Sequence, residues 1–374
     1  MRLCARLIPF DALTPGLLAE WHRLDRETIE PNVYLSPNFV IPAVHHLTPD
    51  TPPILALVED LDAPDGTRLQ LLGLLRSTRH SRALPLRHFR AYRTLHTFGT
   101  GLLVAPQAKE ATMRTWVSHL MNCRPRHHGL DFDQIRADQP VFRLLRATAA
   151  ELDMEWFELQ RFHRAVLEGS AVKVQGVRMP KDVRRNLRRL QQAGQVEHRI
   201  VGPGNTDPDC IERHLALEYM GWKSEAGTAM LCRPSEAAFF RKMAANFLAD
   251  GRAVFSELLI NGEVIASTSN FASGSTLFGF KAGFNPALSS YGPGIINEVK
   301  FLESAISQRP GLTSFDSGTA GPSYIDRLLP DRSPVVTGFF SLSGVSKPWL
   351  RMVARAWPIK NRLRTRWTAT DRQT

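Results

Sequence analysis

The sequence predicts an α/β protein of two tandem units, each a mixed central sheet flanked by helices, with a basic helical stretch between them. Three observations predict it. Residues 252–284 hold three apolar strand patterns joined by two tight turns, Asn261-Gly262 and Ser273-Gly274. A glycine turn then opens a helical pattern that leads to one more short strand ending at Asp316. Upstream, the same alternation of strand and helix recurs in worn form. A chain of 374 residues has room for two to three domains at ~150 residues each.

In the N-terminal half, Pro15–Thr28 is a helix with Leu17, Leu18, Trp21 and Leu24 on one side. Ile54–Val58 and Leu69–Leu75 are strands around the turn from Ala63 to Thr67. Thr97–Val104 is a third strand region, followed by a helix from Ala108 to Met121. Gly129–Phe132, Pro140–Leu152 and Trp156–Val166 read as strand, helix and strand. Ala105-Pro106-Gln107 stands before the Ala108 helix where a glycine loop would be needed to hold a phosphate.

Pro180 and Gly194 bracket a basic helix whose Val183, Leu187 and Leu190 form one stripe opposite Lys181, Arg184, Arg185, Arg188 and Arg189. Further helices run from Asp207 to Tyr219 and from Ser235 to Ala249. The strands Arg252–Ile260, Glu263–Phe271 and Ser275–Phe284 come next, and the helix Ile295–Ser307 carries Ile295, Ile296, Val299, Leu302 and Ile306 at helical spacing. The expected division is residues 1–168 as a degenerate first domain and 169–206 as the linker. Residues 207–345 form the second domain and 346–374 a basic tail.

Net charge is +11, but residues 178–189 carry +5 and residues 347–374 carry +7, so the body of the chain is close to neutral. A protein wrapping a duplex would show a broader positive field, which argues against nucleic acid. No run of 18 apolar residues predicts a membrane span, and Met1–Pro9 is too short and interrupted for a secretory signal. Cys4, Cys123, Cys210 and Cys232 are scattered without a C-x-x-C pair, which predicts reduced thiols and a cytoplasmic protein. The tail mixes Trp349, Trp357 and Trp367 with basic residues, a composition suited to peripheral contact with an anionic membrane at ~1 kcal/mol per cation. His45-His46, His127-His128 and Cys123 have no acidic partner or second cluster, so no metal site is predicted.

Gly292-Pro293-Gly294, between a strand and a helix, can present backbone N–H groups to a phosphate, although it also suits an ordinary connection and Pro293 removes one donor. Asp316-Ser317-Gly318-Thr319 reads like the aspartic-protease signature. Such enzymes need two aspartates sharing one proton, and no second copy of the motif occurs. Asp316 therefore reads either as a general base at a strand end or as an Asx-type cap of the turn to Gly318. Lys281, among Phe278, Phe280 and Phe284, either snorkels outward or meets an anionic substrate.

The order of strands, glycine turn, helix and strand resembles the GNAT acyltransferase core. With Lys181–Leu190, Glu218, the run from Gly221 to Ala229, Phe315–Gly318 and Tyr324, the chain resembles the CelD-type, FemAB-related branch over roughly residues 15 to 340. The resemblance implies two tandem GNAT-like domains. The second would bind acyl-CoA (acetyl-CoA) without a metal and pass the acyl group to an amine or hydroxyl of a glycan-precursor acceptor, such as an amino sugar. It implies that Ser290, Tyr291, Gly292, Gly294 and Ile295 hold the pyrophosphate, and that the strand with Ser267, Ser269 and Phe271 flanks the pantetheine arm. Asp316 would assist deprotonation, with Glu218 as a second base, and Tyr324 would protonate the leaving thiolate or simply fill core. Trp222, Lys223, Lys281 and Phe280 would line the acceptor groove. Thr319 and Ile325 stand where the family commonly has basic residues. Two alternatives stay open: aminoacyl transfer from charged tRNA, as in FemAB proteins, and a non-catalytic scaffold for a polysaccharide-synthesis complex.

Overall fold

The computed structural model of the protein describes residues 1–107, 109–169, 179–205, 207–308, 311–319 and 323–357. The chain opens with β1 (Leu3–Pro9), α1 (Pro15–Glu27), α2 (Pro37–Leu47), β2 (Ile54–Asp60), β3 (Leu69–Thr78), β4 (His88–Ala91) and β5 (Leu103–Val104). Then follow α3 (Lys109–Asn122), β6 (Gly129–Arg136), α4 (Pro140–Glu151), β7 (Trp156–Glu168), α5 (Lys181–Ala193) and β8 (Val196–Val201). After these come α6 (Cys210–Met220), α7 (Trp222–Glu225), α8 (Pro234–Ala249), β9 (Ala253–Ile260), β10 (Glu263–Ser273), β11 (Thr276–Phe284), α9 (Pro293–Gln308), β12 (Ser314–Asp316) and β13 (Asp331–Ser341). Residues 346–357 are helical. No helix of the described residues is long and apolar enough to cross a membrane.

Two compact units form. The first comprises Met1–Leu35, Pro52–His163 and Ser333–Thr374; the second comprises Ser36–Thr51 and Arg164–Arg332. In the first unit the strand order is β1-β2-β3-β4-β6-β13-β7, with β5 on β3. The β4–β6 pair is parallel, and β1–β2, β2–β3, β3–β4 and β6–β13 are antiparallel. Its core gathers Leu71, Trp116, Leu120, Phe132, Val141 and Phe340, with the Trp116 indole donating to Ala56 O at 3.1 Å. In the second unit the order is the end of β7, then β12-β11-β10-β9-β8. Here α5 and α9 pack with Val254, Leu258, Ile296, Val299 and Phe315, while Phe240, Phe247, Phe255 and Phe271 form an aromatic cluster. Full burial of each such side chain stabilises the fold by about 1.5–3 kcal/mol.

The fold is the mixed α/β architecture that the sequence predicts, but the units are not the continuous blocks expected. Of the stretch 169–206 expected as a linker, the described residues 179–205 pack into the second unit: Val183 and Leu190 are fully buried and β8 pairs with β9 over six residues. The apolar stripe of α5 is an embedded face, and only its arginine side is solvated. Helix α2, unpredicted because Pro42 interrupts it, belongs to the second unit, where Phe39 meets Phe239 edge-on at 5.3 Å. Residues 333–341 of β13, expected in the second domain, pair in the first. The tail is also part of the first unit as far as residue 357: Leu350 is fully buried, Lys347 bonds Asp153 and Arg351 bonds Glu155. Residues 358–374, with Trp367, lie outside the described residues. The strand expected over Thr97–Val104 shrinks to β5, and β4 supplies the sheet position instead.

One close approach sets the layer spacing in the second unit. A β-carbon at Gly283 of β11 would overlap the backbone of α6 at Glu218, so only glycine lets the helix lie this near the strand.

Candidate active site

The second unit builds its site from three meeting points: the turn into α9, the divergence of β11 from β12, and the loop after β12. The β9–β10 hairpin turns through Asn261 and Gly262, at φ 50° and 81°, as a two-residue loop demands. Ser267 and Ser269 then face α6, where both hydroxyls bond the His214 ring at 3.0 and 3.2 Å. The pleat turns Thr268 and Asn270 to the other face. Strand β11 pairs with β10 on one side and, in parallel, with β12 on the other. That second ladder holds three pairs, Thr276–Ser314, Leu277–Phe315 and Phe278–Asp316. Past Phe278 the strands part, and a cavity of about 260 Å³ opens there, lined by Thr268, Asn270, Lys281, Glu298, Thr319 and Tyr324 among others.

Glu298 is the residue that sequence reasoning missed. It sits on α9 with 4% exposure and lines the cavity. Burial alone pushes its carboxyl up to about 7. Its neighbour Asn297 fixes the rotation of α9 through paired bonds with Ser256 of β9, at 2.9 and 3.1 Å. A signal existed: Glu298 falls at i+3 from Ile295 and i−4 from Leu302, so it interrupts an apolar stripe. Tyr324 opens a short 3₁₀ turn capped by Ser323 and Asp326. Its ring is half exposed, yet desolvation and the Glu298 carboxylate both raise its hydroxyl pKa, so it stays protonated.

The other expected acid–base residues serve the fold. Asp316 is buried with Arg164, 3.5 Å away and equally buried, and its Oδ1 accepts the Gly318 N–H at 2.8 Å. It does not line the cavity. The Asx-type reading describes it, with the added work of neutralising Arg164. Glu218 accepts the Met230 N–H at 2.8 Å and lies against Gly283, also away from the cavity. Strand β10 is hydrogen-bonded on both sides, so its Ser267–Phe271 segment meets the cavity through Thr268 and Asn270 and not through free backbone groups, and β11 is the strand at the divergence. Phe280 and Lys281 both line the cavity, and the Phe280 ring also stacks on Phe240 at 6.0 Å. The side chains of Trp222 and Lys223 lie outside the described residues, although their backbone forms α7.

At the turn into α9, Gly292 takes the left-handed conformation at φ 63° and donates its N–H to Ser289 O at 2.9 Å. Pro293 has no N–H. The Gly294 and Ile295 N–H groups meet no acceptor among the described residues, which leaves two donors at the positive end of a 16-residue helix. Helix α5 lies alongside: Arg189 stands 5.3 Å over the Tyr291 ring and reaches Ser290 O at 3.5 Å. Exposed Arg185 and Arg188 share that helix. The donors, the flanking arginine and the short β11–β12 ladder suit an anionic head with a narrow arm. Among the described residues, no cluster of His, Cys, Asp or Glu is placed to hold a metal ion.

Residues 178–324 match the family model described as an acetyltransferase (GNAT) domain, a span that begins at α5 and ends at the cavity's Tyr324. The crystal structure of FemX has a similar fold, with a TM-score of 0.61 at 8% identity over 95% of this chain and 100% of that one. A conserved protein of unknown function from Bacteroides thetaiotaomicron gives 0.57 at 13% identity, over 90% of this chain and 100% of that one. The C-terminal domain ascribed to a lysylphosphatidylglycerol synthetase from Agrobacterium fabrum gives 0.51 at 13% identity, over 91% and 96%. No curated protein matches the chain in sequence. Residues 178–324 are thus similar to a GNAT-type acetyltransferase domain, and the three structures have a similar fold.

Proposed function

We propose that the second unit transfers an acyl group from acyl-CoA to an amine or hydroxyl, on an acceptor of the glycan-precursor class such as an amino sugar. The observation that carries this reading is the cavity at the β11–β12 divergence, which holds a buried carboxyl poised near neutrality and a protonated tyrosine. Gly294 and Ile295 N–H, with Arg189 beside them, would hold the diphosphate of the donor. The thioester supplies the activated acyl carbon. Glu298 takes the proton from the acceptor N–H or O–H as the new bond to that carbon forms. Tyr324 gives its proton to the sulfur as the carbon–sulfur bond breaks. The products are the acylated acceptor and the free thiol, and Glu298 passes its proton back to Tyr324 through solvent.

Calorimetric titration with acetyl-CoA tests the donor site. The intact protein binds it, and Gly294→Glu, which sets a carboxylate among the two free N–H groups, binds it about ten-fold or more weakly. Equal binding by both proteins removes the donor site. No binding by the intact protein, alongside salt-sensitive affinity for tRNA, would shift the reading to aminoacyl transfer. Binding of neither leaves the non-catalytic scaffold.

A further inference from the structure

The first unit has a cavity of its own, of about 580 Å³, and its walls are cationic. Arg76 of β3 and Arg90 of β4 are register partners on adjacent antiparallel strands, like charges facing across a ladder. Arg82 and Arg93 join them, against Asp131 and Asp133. Arg90 bonds Asp131 at 2.8 Å and Arg93 pairs with Asp133. That leaves Arg76 and Arg82 with no carboxylate among the described residues. The Arg76 Nε and Nη2 are buried and lack any hydrogen-bond acceptor there; the guanidinium lies 4.8 Å over the Tyr92 ring. Burial pulls its pKa below the usual arginine range. A buried guanidinium fork that nothing accepts from, opposite a second arginine, destabilises the empty fold. An anion bridging the two would reverse that cost.

We propose that this cavity binds a phosphate monoester or diphosphate, with the phosphoryl oxygens between Arg76 and Arg90 and the organic part against Trp357, Phe339 and Leu159. Arginine forks match phosphoryl oxygens two at a time. Four arginines against two carboxylates leave an excess of two positive charges, the charge of one phosphate dianion. The volume falls in the range of small-molecule sites. One wall is apolar: Trp357 lies in the helical run 346–357, and Leu159 and Phe339 pack in the adjoining cluster. The site does not depend on the acyl-transfer reading, since every residue named here lies in the first unit.

Titration of the full chain with phenyl phosphate and with inorganic pyrophosphate, followed by calorimetry and thermal melting at fixed ionic strength, tests it. Saturable binding that raises the melting temperature is expected. Arg76→Met should weaken it by about 10- to 100-fold, the loss of charge-assisted hydrogen bonds, while melting at or above the temperature of the unliganded parent. Binding undiminished in Arg76→Met places the anion elsewhere and overturns the proposal, as does no binding of either probe or of vesicles. If Arg76→Met fails to fold, exposed Arg82→Gln takes its place with the same expected weakening. Vesicles carrying phosphatidate separate the sources: binding only to them, lost in the variant, makes the phosphate a lipid headgroup.

Discussion

Each unit buries one glutamate whose carboxyl is pushed up to about 7, and the two sit in opposite circumstances. Glu30, in the first unit, accepts the Val141 N–H at 2.8 Å and so satisfies the first turn of α4. Glu298, in the second, has no hydrogen bond to a described residue and faces a cavity. Burial raises both; only the one without a structural task is available for proton transfer. The same contrast holds for cations. Arg164 is spent on Asp316, whereas Arg76 has no carboxylate among the described residues. A perturbed group marks a site when the fold does not already use it.

The measurements that press on that contrast run in descending order of effect. Glu298→Gln should lower kcat by about 10²- to 10⁴-fold with acetyl-CoA affinity kept, whereas Glu30→Ala, which removes the acceptor of the Val141 N–H, should leave kcat alone and lower the melting temperature. Equal activity losses would erase the distinction. Parent activity should rise with pH through about 7 as Glu298 ionises. Stability should move the other way. The unfolded carboxyl ionises near its ordinary value while the folded one holds its proton to about 7, so stability declines as pH rises across that window. Glu298's share of the decline is on the order of 3 kcal/mol, and Glu298→Gln should remove that share while Glu30 keeps its own, so the variant melts higher than the parent at pH 8 but not at pH 4.5.

Asp316→Asn comes next. It keeps an acceptor for the Gly318 N–H but leaves Arg164 uncompensated, and should cost about 3 kcal/mol or more in chemical denaturation. Activity per folded molecule should change little; a collapse of kcat in a well-folded Asp316→Asn would return the base to that residue. Gly294→Glu should weaken acetyl-CoA by about ten-fold or more in a titration while the acidic residue suits the first turn of α9. Tyr324→Phe has the smallest effect, about ten-fold in kcat, because a thiolate departs without much help from an acid. A loss as large as that of Glu298→Gln would give the tyrosine the greater part.

Much of the second unit was legible because its turns are chemically constrained. Asn261-Gly262 and Gly292 take the positive φ values their types predict, and α9 and the strands follow the apolar spacing. The site was less legible. Asp316 carried a motif, but the burial of Arg164 beside it depends on β7, about 150 residues earlier, and no local pattern encodes that pairing. Glu298 looked like an ordinary helical glutamate until its face was known. Pro42 hid α2, and the arginines of α5 drew attention from the stripe that embeds it. The Arg76–Arg90 pair required the β3–β4 register, which hydrophobic alternation alone does not specify.

Gly283 has a consequence for how this protein tolerates variation. Because α6 rests on it with no room for a methyl group, any replacement must lift the helix as a body, carrying the Glu218 clasp on Met230 and the start of α7 with it. A saturation scan should therefore find position 283 as intolerant as any residue of the cavity, although it would touch neither donor nor acceptor. Intolerance there would report a spacer, and ligand titration of the rare soluble replacements would tell it from a contact.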